Sequence, residues 1–313
     1  MYTSASSGGD TPAFWEENWA GGSLEEAVRF CEVDPLRPLL ERHVPLESVV
    51  LEGGCGLGQY VVYYSDRGRK VVGLDFSRGT LAGLRRHRPD VRLCAGNVVR
   101  LPFRAGCFDA YFSGGVVEHF EDGPDTALRE AWRVLRSGGV FLVSVPYCSP
   151  LRRAALALGL RTDSWRAMSA AGVDLPGSPS GRRFWQYAFT PSEFTRALGE
   201  AGFRVVDRQP YAVVWGLYEL PLVERAVVGL RRWRRGNAAT PRRALAPPAA
   251  GVAGAGHRSS SRSVLTRIVV SEDRSMPVFG GLVALLGALG ANMMMFVAIK
   301  DERHGSAPGK RGA

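Results

Sequence analysis

The chain has 313 residues, 45% hydrophobic and 22% charged, enough to bury one large core or two small ones. That balance excludes a collagen, a wholly disordered chain and a polytopic membrane protein. Forty Lys and Arg against 30 acids give a net charge of +10, but residues 225–271 hold ten Arg and no acid, so the rest of the chain is neutral and a globally basic body is excluded.

Residues 1–12 are rich in Ser, Gly and Thr and are expected to be mobile. The first residues show neither a basic n-region nor an apolar h-region, so no signal peptide is read and a reducing cytoplasm is expected. Five Cys, at 31, 55, 94, 107 and 148, are odd in number and lack C-x-x-C spacing, which argues against a disulfide framework and a zinc site. From residue 48 strand and helix alternate. SVVLEGG reads as a buried strand and LGQYVVYYSDRG as a helix ending at Gly68. KVVGLD is a second strand, followed by a helix capped by Ser77 that presents Leu81 and Leu84. VRLCAG and CFDAYFS are the third and fourth strands. PDTALREAWRVLRSGG is predicted to be a helix stopped by Gly138 and Gly139, with VFLVSVP as the fifth strand. Such alternation predicts an α/β domain with a doubly wound, mostly parallel sheet.

The rhythm breaks after residue 147. LRRAALALGL is a short amphipathic stretch, and a Pro/Gly/Ser-rich loop leads to the cluster RRFWQYAF, read as an insertion before a substrate grip. Thr190-Pro191-Ser192-Glu193 spells a capping box whose helix runs to about Gly202, and FRVVDRQ follows as a sixth strand. Residues 211–235 are aromatic and then Arg-rich, and 236–263 are low in complexity. The uncharged run 276–299 is long enough to span a bilayer, but its four Gly, one Asn and one Pro favour a short buried helix followed by a strand.

The chemistry sits in VVLEGGCGLGQ, where the first strand meets the first helix. Glycines fall at 53, 54, 56 and 58, and Gln59 stands where a dinucleotide-binding G-x-G-x-x-G would need its last glycine. Glu52 precedes the loop. Asp75 ends the second strand, where an acid can accept bonds from both hydroxyls of a ribose. Asn97 follows the third strand, and FDAYFSGGVVEHF leads out of the fourth.

This ordered set resembles the class I S-adenosylmethionine-dependent methyltransferases, most closely the small-molecule group similar to ubiquinone and menaquinone methyltransferases (type 11). The resemblance covers residues 48–146 well and 187–209 less closely. It implies a Rossmann-like seven-stranded sheet whose last strand, ANMMMFVAIK, is antiparallel beside the fifth. It implies S-adenosylmethionine as cofactor. Glu52, Gly53, Gly54, Gly56 and Gly58 match the loop that holds the methionine moiety, with Glu52 where the group more often has Asp. Asp75, followed by Phe76, matches the ribose-binding acid. Asn97 stands where Asp is usual near the adenine amino group, and Val98 would pack beside the ring. Ser113 and Gly114 would line the sulfonium end. FWEENW resembles a lid segment, so Trp15 and Trp19 are expected over the site.

His119 is the candidate general base, a structural histidine being the alternative. The expected organisation is a lid at 1–30, a core at 31–209 with an insertion at 147–190, a basic insertion at 210–280, the last helix and strand at 281–300, and a tail at 301–313. The acceptor is expected to be a small or lipid-like molecule. A non-catalytic cofactor-binding protein is the alternative. Nucleic acid is disfavoured because SGGV stands where base-modifying relatives carry an Asn/Asp/Ser-Pro-Pro-aromatic motif. ERAVVGLRRWRRG reads as an amphipathic helix that, with residues up to 291, would bring the enzyme to the inner face of a membrane.

Overall fold

A computed structural model of the chain describes residues 2–4, 12–19, 21–159, 182–184, 186–218, 223, 270–275 and 279–301. The expected surface helix at 224–236 and the low-complexity stretch at 236–263 lie outside the described residues, as does nearly all of the Arg-rich segment.

Seven strands make the main sheet: β2 (Val49–Gly53), β3 (Lys70–Asp75), β4 (Arg92–Ala95), β5 (Phe108–Gly114), β6 (Leu135–Pro146), β8 (Phe203–Tyr211) and β9 (Met293–Lys300). Their order is β4-β3-β2-β5-β6-β9-β8. The first five run parallel, and β9 is antiparallel to both neighbours. This is the Rossmann-like sheet expected, with the last strand beside the fifth.

Burial explains the run of apolar residues in the central strands. Met294, Phe296 and Ala298 of β9 join Phe141 and Val143 in the core on one face of the sheet. Met293, Met295 and Val297 join Leu142 on the other. With alternate residues buried on opposite faces, the strand has no polar side to show.

Helices cover the sheet: α4 (Gln59–Ser65), α5 (Arg78–His87), α6 (Asp125–Val134) and α8 (Pro191–Glu200). Ser77 caps α5 by accepting from the Thr80 N–H, and Thr190 and Glu193 complete the capping box of α8. Gly68 follows α4 with a φ of +77°, a conformation that favours glycine. Two short helices, α2 (Leu24–Phe30) and α3 (Arg37–His43), precede the sheet. A further helix, α1 (Pro12–Trp19), lies ahead of them.

Three expectations change and a fourth holds in part. Residues 1–12 are not uniformly mobile, because β1 (Tyr2–Ser4) pairs antiparallel with β7 (Arg182–Phe184). The helix at 124–139 stops at Val134. Buried Leu135 pairs with Phe108 and accepts a bond from Lys300 Nζ at 2.7 Å, so it already belongs to β6. Gly138, at φ +68°, sits within an irregular stretch where four residues of β6, 136–139, stand against the single residue Asp109 of β5. LRRAALALGL begins its helix one residue earlier, as α7 (Pro150–Ala157), capped by Ser149.

Finally, 276–299 contains α10 (Gly280–Gly290) followed by β9, the helix-and-strand reading. Among the described residues no helix is long and apolar enough to cross a membrane. Yet α10 is not buried all round, because Leu282, Leu285, Leu286 and Leu289 are exposed. It packs on α7 and on α9 (Val213–Tyr218).

Candidate functional site

A cavity of about 300 Å³ opens where the parallel strands end, at the lower bound of what small-molecule sites occupy. Its position follows from topology. β2, β3 and β5 run in the same direction, so the loops leaving their C-terminal ends converge on one edge of the sheet.

The glycine loop forms the floor. Gly54, Gly56 and Gly58 have φ values of +76°, +50° and +75°, which accounts for the alternate G-x-G-x-G spacing. The Gly54 and Cys55 N–H groups donate to Leu74 O at 2.8 and 3.0 Å, tying the loop to the end of β3. A Cβ on Gly54 would overlap the Val116 side chain, and one on Gly56 would come within 2.9 Å of the Trp19 indole.

Two acids face this floor. Asp75 accepts the Gly56 N–H at 2.9 Å on one oxygen and the Ser77 N–H at 2.9 Å on the other. Burial nevertheless raises its pKa, the hydrogen bonds opposing the shift. Glu52 is buried; it takes the Val61 N–H at the start of α4, while its Oε2 has no partner. Burial, with the charge of Asp75 adding to it, pushes the Glu52 carboxyl up to about 8.

Glu52, Gly54, Gly56, Asp75, Phe76, Asn97, Val98, Gly114 and His119 all line the cavity, together with Trp15 and Trp19. Asn97 is exposed, and its Oδ1 accepts the Val99 N–H at 3.1 Å, so it shapes its turn as well. Val98 is buried beside it. The Trp15 ring stacks near Trp19 at 6.2 Å and meets His119 edge-on at 5.1 Å.

Three expected residues lie off the wall. Gly53 is the last residue of β2, and a Cβ there would strike the Tyr111 ring. Gly58 caps α4, and a Cβ there would strike Leu84. Ser113 is wholly buried in β5. Gly53 and Ser113 thus belong to the strand ends and Gly58 to the helix start, and none of the three lines the cavity.

Other residues of the wall carry no sequence motif. Tyr60 and Phe112 line it with rings 5.0 Å apart, and Tyr60 Oη donates to buried Asp34 at 2.5 Å. Val116 and Phe120 complete the apolar side. Glu118, behind His119, is buried with Oε2 unpartnered, and desolvation pushes its pKa up to about 8. Its Oε1 lies 4.0 Å from His119 Nε2. The only signal for Val116, Glu118 and Phe120 was the segment VVEHF, and Tyr60 and Phe112 lie in apolar stretches that read equally as core.

The comparisons with known proteins agree with this geometry. Residues 51–143 match the methyltransferase domain family. A Mycolicibacterium smegmatis protein described as a "probable S-adenosylmethionine-dependent methyltransferase" is 34% identical over 158 residues, half of this chain and 52% of the relative. A demethylmenaquinone methyltransferase of Renibacterium salmoninarum is 38% identical over 106 residues, 33% of this chain and 44% of the relative. The chain thus spans about half the length of these curated relatives. A chain in the solved complex that contains the Haloferax volcanii Trm112 methyltransferase activator shares the fold, with a TM-score of 0.50 and 15% identity, covering 94% of this chain and 97% of its own. Residues 51–143 thus carry the match to the methyltransferase domain family, and the relatives aligned with them are named as methyltransferases.

Proposed function

We propose that the chain transfers a methyl group from S-adenosylmethionine to a small or lipid-like acceptor. The observation that carries this reading is the Glu52 carboxyl, buried in the cavity wall with one oxygen unpartnered above a glycine floor that any side chain would obstruct. An orphaned buried carboxyl is costly, and a cationic amino group would relieve it. The residues fit the cofactor: Glu52 with the Gly54–Gly56 backbone for the amino-acid end, Asp75 for the ribose, Asn97 and Val98 for the adenine, and Gly114 near the reacting methyl. The cofactor supplies an activated methyl group for direct displacement.

The chain's own contribution is enclosure and alignment. Tyr60, Phe112, Val116, Phe120 and the Trp pair exclude water from one side, which strengthens positioning and removes solvent from the reacting atoms. The lid assignment for α1 is supported by its anchorage. Glu16 accepts from Ser77 Oγ at 3.0 Å and from the Gly79 N–H at 3.1 Å, and so clips α1 to the start of α5 beside the cavity. Where the acceptor is a hydroxyl, His119 is placed on the cavity wall to take its proton.

Calorimetry with S-adenosylmethionine and S-adenosylhomocysteine tests the cofactor half. Methyl transfer to a panel of phenols, quinols, fatty acids and tRNA tests the acceptor half. Binding of neither cofactor form would remove the proposal, and transfer confined to tRNA would replace its acceptor.

A further inference from the structure

We infer that the exposed leucine face of α10 docks on a bilayer rich in anionic lipid. The inference does not depend on the methyl-transfer reading. Helix α10, GGLVALLGALG, contains no charged or polar residue. Its inner residues Val283, Gly287 and Gly290 are buried, while Leu282, Leu285 and Leu289 are 50%, 56% and 47% exposed. Leu286 and Phe279 extend the same surface; exposed Val214 lies on α9 and exposed Leu158 just after α7, the two helices packed against α10. Single exposed leucines are ordinary, but a contiguous set on one uncharged helix marks an interaction surface.

Three further observations name the occupant. The first is charge. The chain leaves the described fold after Tyr218, in α9, and re-enters it at residue 270. Both ends are held beside α10: the Val213 N–H bonds Glu272 Oε1 at 2.6 Å, and the Arg274 guanidinium bonds Pro210 O at 2.5 Å. The segment between those ends, which carries ten arginines and no acid over residues 225–271, is therefore joined to the fold at both ends through neighbours of the leucine face. Arginine beside leucine suits acidic headgroups above acyl chains, each basic residue near such a surface adding to the attraction.

The second observation disfavours a second copy of this chain, because two such faces would bring twenty arginines together with no acid among them. The third is position. Pro146 pairs with Met293, and Tyr147 Oη donates to Ala288 O at 2.9 Å, so α10 sits at the C-terminal edge of the parallel strands. The cavity opens at that same edge. A bilayer on α10 would lie along the edge through which an apolar acceptor enters.

The experiment is flotation of the full chain with vesicles of phosphatidylcholine alone and with about one-third phosphatidylglycerol, at low salt and at about 0.5 M salt. The wild type is expected to float with the anionic vesicles at least about tenfold better than with neutral ones, and salt is expected to weaken this. Leu285→Glu with Leu289→Glu is expected to abolish flotation while leaving the melting temperature and cofactor affinity unchanged, since both side chains already face solvent. Arg→Gln at 231, 232, 234 and 235 is expected to remove the anionic preference. Three outcomes would overturn the inference. The wild type could stay off anionic vesicles, or the double variant could float like the wild type. The protein could also prove dimeric in solution, the double variant becoming monomeric with flotation unaltered.

Discussion

The two halves of the sheet present opposite surfaces at the same edge. At the ends of β2, β3 and β5 the chain turns through positive-φ glycines, buries two carboxyls and leaves a cavity. At the ends of β6 and β8 and the start of β9 it builds helices, one of which, α10, exposes a row of leucines. In the first half, backbone and charge are constrained to atomic tolerance. In the second, only apolarity is constrained. Recognition of a common cofactor needs the former, whereas contact with an extended apolar phase needs only the latter.

Glycine substitutions break the comparison most directly. Gly54→Val puts a branched side chain at φ +76° and into Val116. Cofactor affinity should fall by more than about 100-fold, near 3 kcal/mol, as read by calorimetry. A tolerant Gly54 would erase the distinction between the halves. Asp75→Ala comes next. It strips the acceptor from the Gly56 and Ser77 N–H groups as well as from the cofactor site. About 2 kcal/mol of affinity should go, with a lower melting temperature.

The pH dependence of stability is the third test. Glu52 and Glu118 are both pushed up to about 8 from an ordinary 4.5. Between those values the folded state holds their protons and the unfolded state does not. Stability should therefore be highest near pH 5 and decline toward pH 8, by at most about 1.4 kcal/mol per unit per group. Glu118→Gln should flatten part of that slope in thermal melts, and saturating cofactor should flatten the part due to Glu52. A slope unchanged by either would remove the buried acids from the account. The smallest effect belongs to the leucine half. Nothing lies within 4 Å of a Cβ on Gly281, so Gly281→Ala should stabilise by no more than about 1 kcal/mol, with cofactor affinity unchanged.

The same contrast explains what the sequence disclosed. Glu52, the alternate glycines and Asp75 were legible because backbone conformation and charge leave marks on residue type. The capping box at Thr190 was legible for the same reason, being local chemistry. Gly53, Gly58 and Ser113 lie beside the loops that line the cavity but off its wall, because what packs against each position, here Tyr111 for Gly53 and Leu84 for Gly58, is set by the fold. Leu135 was read as helical because its pairing with Phe108 is a long-range contact. Tyr60 and Phe112 gave no signal beyond apolarity and Glu118 none beyond its charge, since only the fold brings them to the wall or behind it. In α10 every residue is apolar or glycine, so periodicity could not show which side would remain uncovered.

The place of β9 also sets an order of events during synthesis. Val143 pairs with Phe296, about 150 residues later, and β8 touches the sheet only through β9. The five parallel strands can assemble as they leave the ribosome, but β6 keeps an open edge until residue 300 has emerged. Closing so long a loop depends only weakly on its length, each doubling costing about 0.6 kcal/mol. Residues 219–269 are thus a stretch in which length can drift at little thermodynamic cost, while the eight residues of β9 cannot be spared.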